Sequence, residues 1–164
     1  MKNSRLYFPV LRNKRAEWSA LAELADDVAR YVVPIIEPLP TNLVKEGDAG
    51  VSKSLAARMD EERLRKIFFD AHILGDASGA QFLSRLIRSD VGSSGRMIPV
   101  LRPDLGENIS GILGRWAKKI GRCAIRLGQP SLIAEPANLE KLIGESGLRR
   151  EAITLLVDRR IVGA

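Results

Sequence analysis

The segment Met97–Leu127, MIPVLRPDLGENISGILGRWAKKIGRCAIRL, decides the fold class of this chain. It opens with a short apolar run, Met97-Ile-Pro-Val-Leu, closed by Arg102. A helix follows from about Ile109 to Ile120, weakened by Gly111 and Gly114. A second apolar run, Cys123-Ala-Ile-Arg126-Leu, then begins. Apolar runs this short, rich in β-branched residues and bounded by breakers, read as strands buried on both faces. A strand, a helix and a strand in succession imply a parallel pair joined by a right-handed crossover.

Outward from this segment the unit repeats. Toward the N-terminus, Ile67-Phe-Phe-Asp70 is a third strand, running up to Ile73, followed by a turn at Gly75–Gly79 and a helix over Ala80–Ser89. Gly92-Ser-Ser-Gly95 marks a loop. Before it, Pro38–Lys53 reads as a long loop on account of Gly47 and Gly50. Ser52 or Ser54 caps a helix over Leu55–Lys66. The first unit has strand Leu6–Arg12, a helix over Ala16–Arg30, and strand Tyr31–Glu37. Pro9 and Pro34 lie early in their strands, where a missing N–H is best tolerated. Pro-Val-Leu-Arg occurs twice, at 9–12 and 99–102. Toward the C-terminus a helix near Asn138–Ile143 leads to a sixth strand, Ile153–Asp158, with no covering helix after it. The whole chain, 1–164, is expected to form a single α/β domain of repeated βα units on a parallel sheet. Two architectures satisfy the pattern: a partial, TIM-barrel-like (β/α) sheet of about six strands, or an open doubly wound sheet.

Each strand ends on a charge. Arg12, Glu37, Asp70, Arg102, Arg126 and Asp158 fall roughly 24 to 33 residues apart, one βα unit each. In parallel architectures all strand C-termini lie on one side, the side on which sites are built. An ionisable side chain there borders a low-dielectric core and must be paired, hydrated or engaged with a ligand. One use is an anionic, phosphate-bearing ligand gripped by Arg12, Arg102 and Arg126. Glu37, Asp70 and Asp158 then act as acid and base or hold a divalent cation such as Mg. That scheme describes a metal-assisted hydrolase or phosphodiesterase-like enzyme. The alternative is a structural network in which the six charges neutralise one another.

His72, the single histidine, follows Asp70 by two positions and shares its strand face if the strand continues, so Asp-x-His is a candidate proton relay or ligand pair. Lys14 and Glu17 fall just after the first strand and could bind and orient an anion, or simply start a helix. Cys123 lies at the opposite end of its strand, away from the charges. Trp18 and Trp116 read as helix core or partner surface. Dinucleotide, phosphate-loop, nucleophile-elbow and paired-cysteine zinc signatures are absent.

Bulk composition narrows the classes. With 164 residues, 45% hydrophobic and 28% charged, the chain is an ordinary globular domain. No apolar run approaches the roughly 20 residues a membrane helix needs. The N-terminal apolar stretch, cut by Arg5 and Arg12, does not read as a signal peptide, so none is expected. One cysteine excludes an internal disulfide and fits a reducing compartment, so a cytoplasmic location is expected. The net charge is +6 and arginine outnumbers lysine, favouring bidentate contacts to phosphate or carboxylate. Nucleic-acid binding has no detailed support, since basic runs and interleaved aromatics are missing.

Tyr7-x-Pro9-Val-Leu, Lys14-x-x-Glu17-x-x-Ala20-Leu21 and Pro34-Ile-Ile-Glu37 resemble the start of the phage "beta protein" family. Pro99-Val-Leu-Arg102, Ile125-Arg126-Leu and Leu156-Val-Asp158 follow in the matching order. The resemblance implies a (β/α)-barrel-like protein from bacteriophages or bacterial defence regions, with Lys14, Glu17, Glu37, Arg102, Arg126 and Asp158 at matching positions. It brings no established reaction. Family members are typically about twice this length, and a closed barrel takes eight strands and roughly 250 residues. A sheet of six strands has open edges. Self-assembly into a homo-oligomer, or a second polypeptide that completes the sheet, is therefore expected. The competing reading of the function is a non-catalytic interaction module with an apolar patch near Leu156–Val162.

Overall fold

A computed structural model of the chain describes residues 6–61, 64–128 and 136–158, without the side chains of 41–49, 51, 52, 76, 136–138 and 158. The elements run β1 (Val10–Leu11), α1 (Arg15–Ala22), α2 (Asp26–Ala29), β2 (Ile35–Ile36), α3 (Pro40–Glu61) and β3 (Ile67–Phe69). They continue as α4 (Asp76–Leu86), α5 (Asp90–Ser93), β4 (Met97–Leu101), α6 (Glu107–Ile120) and β5 (Cys123–Gly128). Last come α7 (Pro136–Ser146), a 3-10 turn (Arg150–Ala152) and β6 (Ile153–Asp158).

The six strands lie in the order β1-β2-β3-β4-β5-β6, and every neighbouring pair is parallel. A doubly wound sheet reverses its order at a switch point, and this order contains no reversal. Successive right-handed crossovers in one direction put all the helices on one face. The sheet is open, with β1 and β6 as edges. β1 and β2 hold only two residues each, shorter than the sequence reading, because Pro9 and Pro34 cannot donate to a ladder. Their carbonyls still serve: Ile35 N donates to Pro9 O at 2.8 Å and Phe68 N to Pro34 O at 2.9 Å. A further bridge, Tyr7 to Val32, extends that pairing upstream.

Two apolar clusters reflect the two faces. On the helix side Ile67, Phe69, Met97, Leu101, Ile125 and Leu127 pack with Met59, Phe82, Leu83, Trp116 and Leu142. On the opposite side Ile35, Phe68, Ile98, Val100, Ala124 and Leu156 pack together with Phe8, and no helical residue joins them among the described residues. These six are at most 5% exposed. With no helix among the described residues to cover it, a face buried to that degree is one that curls onto itself, with this side concave. The Phe8 and Phe68 rings, 5.7 Å apart, close part of that curl.

Three local expectations are corrected. Pro38–Lys53 is not a long loop, since α3 begins at Pro40 and includes Gly47 and Gly50. Proline is well placed in a first helical turn. Each glycine costs about 1 kcal/mol against alanine, and the buried Leu55 and Met59 anchor the far end of the helix. The expected helix Ala16–Arg30 is broken at Ala25, whose extended ψ of 144° caps a new turn with Asp26 and Asp27 at its start. Gly92-Ser-Ser-Gly95 is partly helical in α5, and Gly92 packs so tightly on the Leu86 carbonyl that no side chain fits there. Trp116 Nε1 donates to the Gly92 carbonyl at 2.8 Å, which fixes α5 against α6.

Beyond α7, Leu155 and Val157 on β6 are 50% and 43% exposed, while Leu156 is buried. The expected apolar patch therefore begins at 155, and residues 159–162 of it lie outside the described residues. No helix among the described residues is long and apolar enough to cross a membrane.

Candidate functional site at the strand C-termini

Strand periodicity assigns the charges to a face. Residues two apart on a strand share a side. Phe68 leads to Asp70, Val100 to Arg102, Ala124 to Arg126, and Ile35 to Glu37, whereas β3 ends at Phe69 instead of running to Ile73, so His72 lies in the turn beyond it. All four leading residues belong to the concave cluster. The charges therefore continue the concave face past the last ladder bonds, where the apolar floor gives way to polar side chains.

Arg126 is the centre. Its Nη1 donates to Glu37 Oε1 at 2.7 Å and to Asp70 Oδ2 at 2.8 Å. β2 and β5 are three strands apart, about 14 Å in a flat sheet, so this bond exists because the sheet curls. Glu37, Asp70 and Arg126 are all buried, at 5%, 0% and 4% exposure. Arg102 reaches the same carboxylate, with Nη1 3.3 Å from Asp70 Oδ2. Its other donors take Asp104 in a two-point contact, Nε to Oδ1 and Nη2 to Oδ2, both 3.0 Å.

Asp70 Oδ1 accepts the His72 backbone N–H and lies 3.2 Å from His72 Nδ1. Burial pushes the Asp70 carboxyl up, but hydrogen bonding by His72 and the charges of Arg102 and Arg126 outweigh it, and the net shift is downward. Asp70 is therefore ionised and can only accept. His72 Nδ1 must carry the proton, which leaves Nε2 as the basic nitrogen. The His72 side chain keeps 19% exposure and Arg102 15%, against none for Asp70. Those two residues, with the more exposed Asp104, are the solvent-facing part of the network. Burial lowers the Arg102 pKa, but Asp104 and Asp70 more than restore it, so the guanidinium stays charged. Asp104 is pulled downward by the same contact against its partial burial.

Glu37, Asp70 and His72 offer ligand atoms all within 4.8 Å of one another, a spacing that suits a metal ion. Both carboxylates are already engaged by Arg126, so an entering divalent cation would share them with a guanidinium. The positive charge balancing this corner is supplied by the protein itself.

Of the expected site residues, Glu37, Asp70, His72, Arg102 and Arg126 come together. Arg12 and Lys14 are exposed, and neither contacts the network among the described residues. Asn13 turns the chain with φ 53° and accepts from Trp18 Nε1 at 2.8 Å. Glu17 bonds the Arg12 and Lys14 backbone N–H groups, at 2.6 and 3.4 Å, as an acid in the first turn of α1. Asp158 pairs in register with Gly128 at the same end of the sheet, and its side chain lies outside those described. Asp104 was not foreseen, because it sits in the turn after β4, beyond any strand pattern. An acid two residues after a strand-end arginine is the signal that could have found it.

The sequence model of the family described as Beta protein matches residues 7–163. No curated protein matches the chain, and no solved structure does.

Proposed function

This chain belongs to the Beta protein family, and from that premise we propose a phage- or defence-associated protein that binds a phosphate-bearing ligand at its strand C-termini. One observation carries the reading. A buried, ionised Asp70 orients His72 while two guanidiniums, Arg102 and Arg126, converge on the same carboxylate. In this reading Arg102 meets the ligand's phosphoryl oxygens, since its planar fork suits them and it alone of the two arginines retains solvent contact. His72 Nε2 takes a proton from a water attacking the phosphorus, Asp70 stabilises the imidazolium so formed, and as the P–O bond to the leaving group breaks the imidazolium gives its proton to the departing oxygen. Arg126, Glu37 and Asp70 are the fixed base on which those two residues stand.

The test is hydrolysis of bis(p-nitrophenyl) phosphate together with phosphate binding by calorimetry. His72→Ala is expected to remove turnover at least 100-fold and to leave binding within a few fold, whereas Arg102→Ala weakens binding. Turnover that is undetectable in the wild type, or unchanged in His72→Ala, sinks the catalytic part. Unchanged phosphate affinity in Arg102→Ala sinks the binding part.

A second reading rests on a different observation. Leu155 and Val157 are exposed beside an unpaired strand edge on β6, which supports a module that assembles with a second copy or another polypeptide through that edge.

A further inference from the structure

A cleft of about 550 Å³ lies on the helix side between α6 and α7, bordered by the turn after β4. Its α6 wall is made by positions 107, 110, 111, 114, 115 and 118, spaced by alternating steps of three and one. That spacing is one stripe along a helix. Two of the six are glycines, for different reasons. At Gly114 a Cβ would stand 3.3 Å from the Glu145 carbonyl of α7, so the helices meet closely there. At Gly111 the nearest atom would be Arg115 Nη1 at 3.7 Å, so the wall is bare backbone and the cleft opens. The volume falls within the range of small-molecule pockets, about 300–1,000 Å³.

The lining charges are unequal. Arg102, Arg115, Lys118 and Lys141 face the cleft against Glu107 and Glu145. Glu145 is occupied, accepting from Ser110 Oγ at 3.1 Å and lying 3.8 Å from Lys141 Nζ. Arg102 is committed to Asp70 and Asp104. Arg115 and Lys118 have no carboxylate partner among the described residues. The Lys118 stem packs over Gly147, whose φ of 61° and missing Cβ leave the space. This packing settles the stem against protein and leaves the ammonium at the lining. Leu105 and Leu142 supply apolar surface in the same cleft.

We propose that this cleft binds a small organic phosphate, with the phosphate between Arg115 and Lys118 and the apolar body against Leu105 and Leu142. The site is separate from the acid–histidine pair at the strand ends and stands without it, although Arg102 borders both.

The experiment is calorimetric titration with adenosine 5′-monophosphate, p-nitrophenyl phosphate and inorganic phosphate as probes. At least one organic probe is expected to bind saturably and tenfold or more tightly than inorganic phosphate. Arg115→Ala combined with Lys118→Ala weakens that binding at least tenfold. Gly111→Leu fills the cleft and abolishes it. Because leucine is a better helix former than glycine, a retained or raised Tm shows that the fold survives. His72→Ala leaves it unchanged. Absence of saturable binding for every probe overturns the proposal, and so does wild-type binding in Gly111→Leu. Binding lost in Arg102→Ala but kept in Gly111→Leu also overturns it, and places the ligand at the strand ends.

Discussion

The two faces of the sheet are built from the same strands and put to opposite uses. On the helix side the alternating residues are apolar to the strand end, and helices supply Phe82, Leu83, Trp116 and Leu142 to cover them. On the concave side the alternation starts apolar, with Ile35, Phe68, Val100 and Ala124, and finishes charged, with Glu37, Asp70, Arg102 and Arg126. Cover on the first face comes from other elements. On the second it comes from curvature, and the same curvature brings charges from four strands into contact. One face holds the fold, and the other holds a polar corner whose charges must balance.

The sharpest way to break this comparison is to remove the balance. Arg126→Leu leaves Glu37 and Asp70 buried without their shared donor, and such a loss typically costs about 3–5 kcal/mol. Urea denaturation measures it. Adding Glu37→Gln and Asp70→Asn to the same variant is expected to recover most of the loss, because the uncompensated charges are gone. If Arg126→Leu alone costs under 1 kcal/mol, the corner is not an electrostatic unit. The pH dependence has a definite sign. The Asp70 carboxyl is held below its ordinary 3.8, so its stabilising share is complete above about pH 3.8 and is lost as pH falls through the lowered value. Arg126 is one cause of that lowering, so in Arg126→Leu the acid transition moves to higher pH.

The matching change on the helix face is Leu83→Ala, at a side chain with no exposure. Truncation there leaves a cavity and is expected to cost about 2–5 kcal/mol. Unlike Arg126→Leu, it should leave the acid transition of Asp70 and phosphate affinity at the strand ends where they were. A shift in either would mean that the faces are not separable.

A smaller effect tests who competes for Arg102. Asp104 takes two of its donors from a side chain 61% exposed, so an external anion has to displace an internal one. Asp104→Asn is expected to raise phosphate affinity several fold. The stability loss stays under about 1 kcal/mol, as for exposed ion pairs. Unchanged affinity would show that ligand does not meet the Arg102 fork.

Much of this comparison was legible in the sequence, and the limits have physical causes. The βα repeat was visible because short β-branched runs alternate with helical spacing. The convergence of Glu37, Asp70, Arg102 and Arg126 followed from strand ends sharing one side. His72 joined for another reason than the expected strand alternation, since β3 stops at Phe69 and the turn after it folds the His72 backbone N–H onto Asp70 Oδ1. Arg12 did not join, since β1 stops at Leu11 and Asn13 turns the chain away in a left-handed conformation. Lys14 and Glu17 start a helix, where the acid bonds backbone N–H groups. Helix α3 was missed because two glycines in a polar stretch argue locally for a loop, while Leu55 and Met59 hold it through tertiary burial that no local window contains. The metal expectation set Glu37, Asp70 and Asp158 around a cation, with Asp70-x-His72 as a separate ligand pair; Glu37, Asp70 and His72 lie within reach of one ion, and the Asp158 side chain is outside those described. What the sequence could not place was the Arg126 guanidinium between those acids, because that contact spans 89 residues and depends on curvature.

The smallest effect on the folded chain concerns the edge where the two faces meet. Leu155 and Val157 sit on the helix side of β6, in register with Ile125 and Leu127, both buried. The same pattern that packs β5 thus continues onto β6 and loses its cover there. Leu155→Lys with Val157→Lys puts charge on exposed positions, where substitutions usually change stability by no more than about 0.5 kcal/mol each. If this edge is where a second copy docks, sedimentation velocity on the wild type will show an associated species that the double variant lacks at equal concentration. A wild type that sediments as a monomer through the micromolar range ends the self-assembly reading, leaving a different polypeptide as the only occupant that reading allows. A double variant that associates as the wild type does moves the contact elsewhere, and the uncovered stripe on β6 is then solvent-facing in the assembly as well.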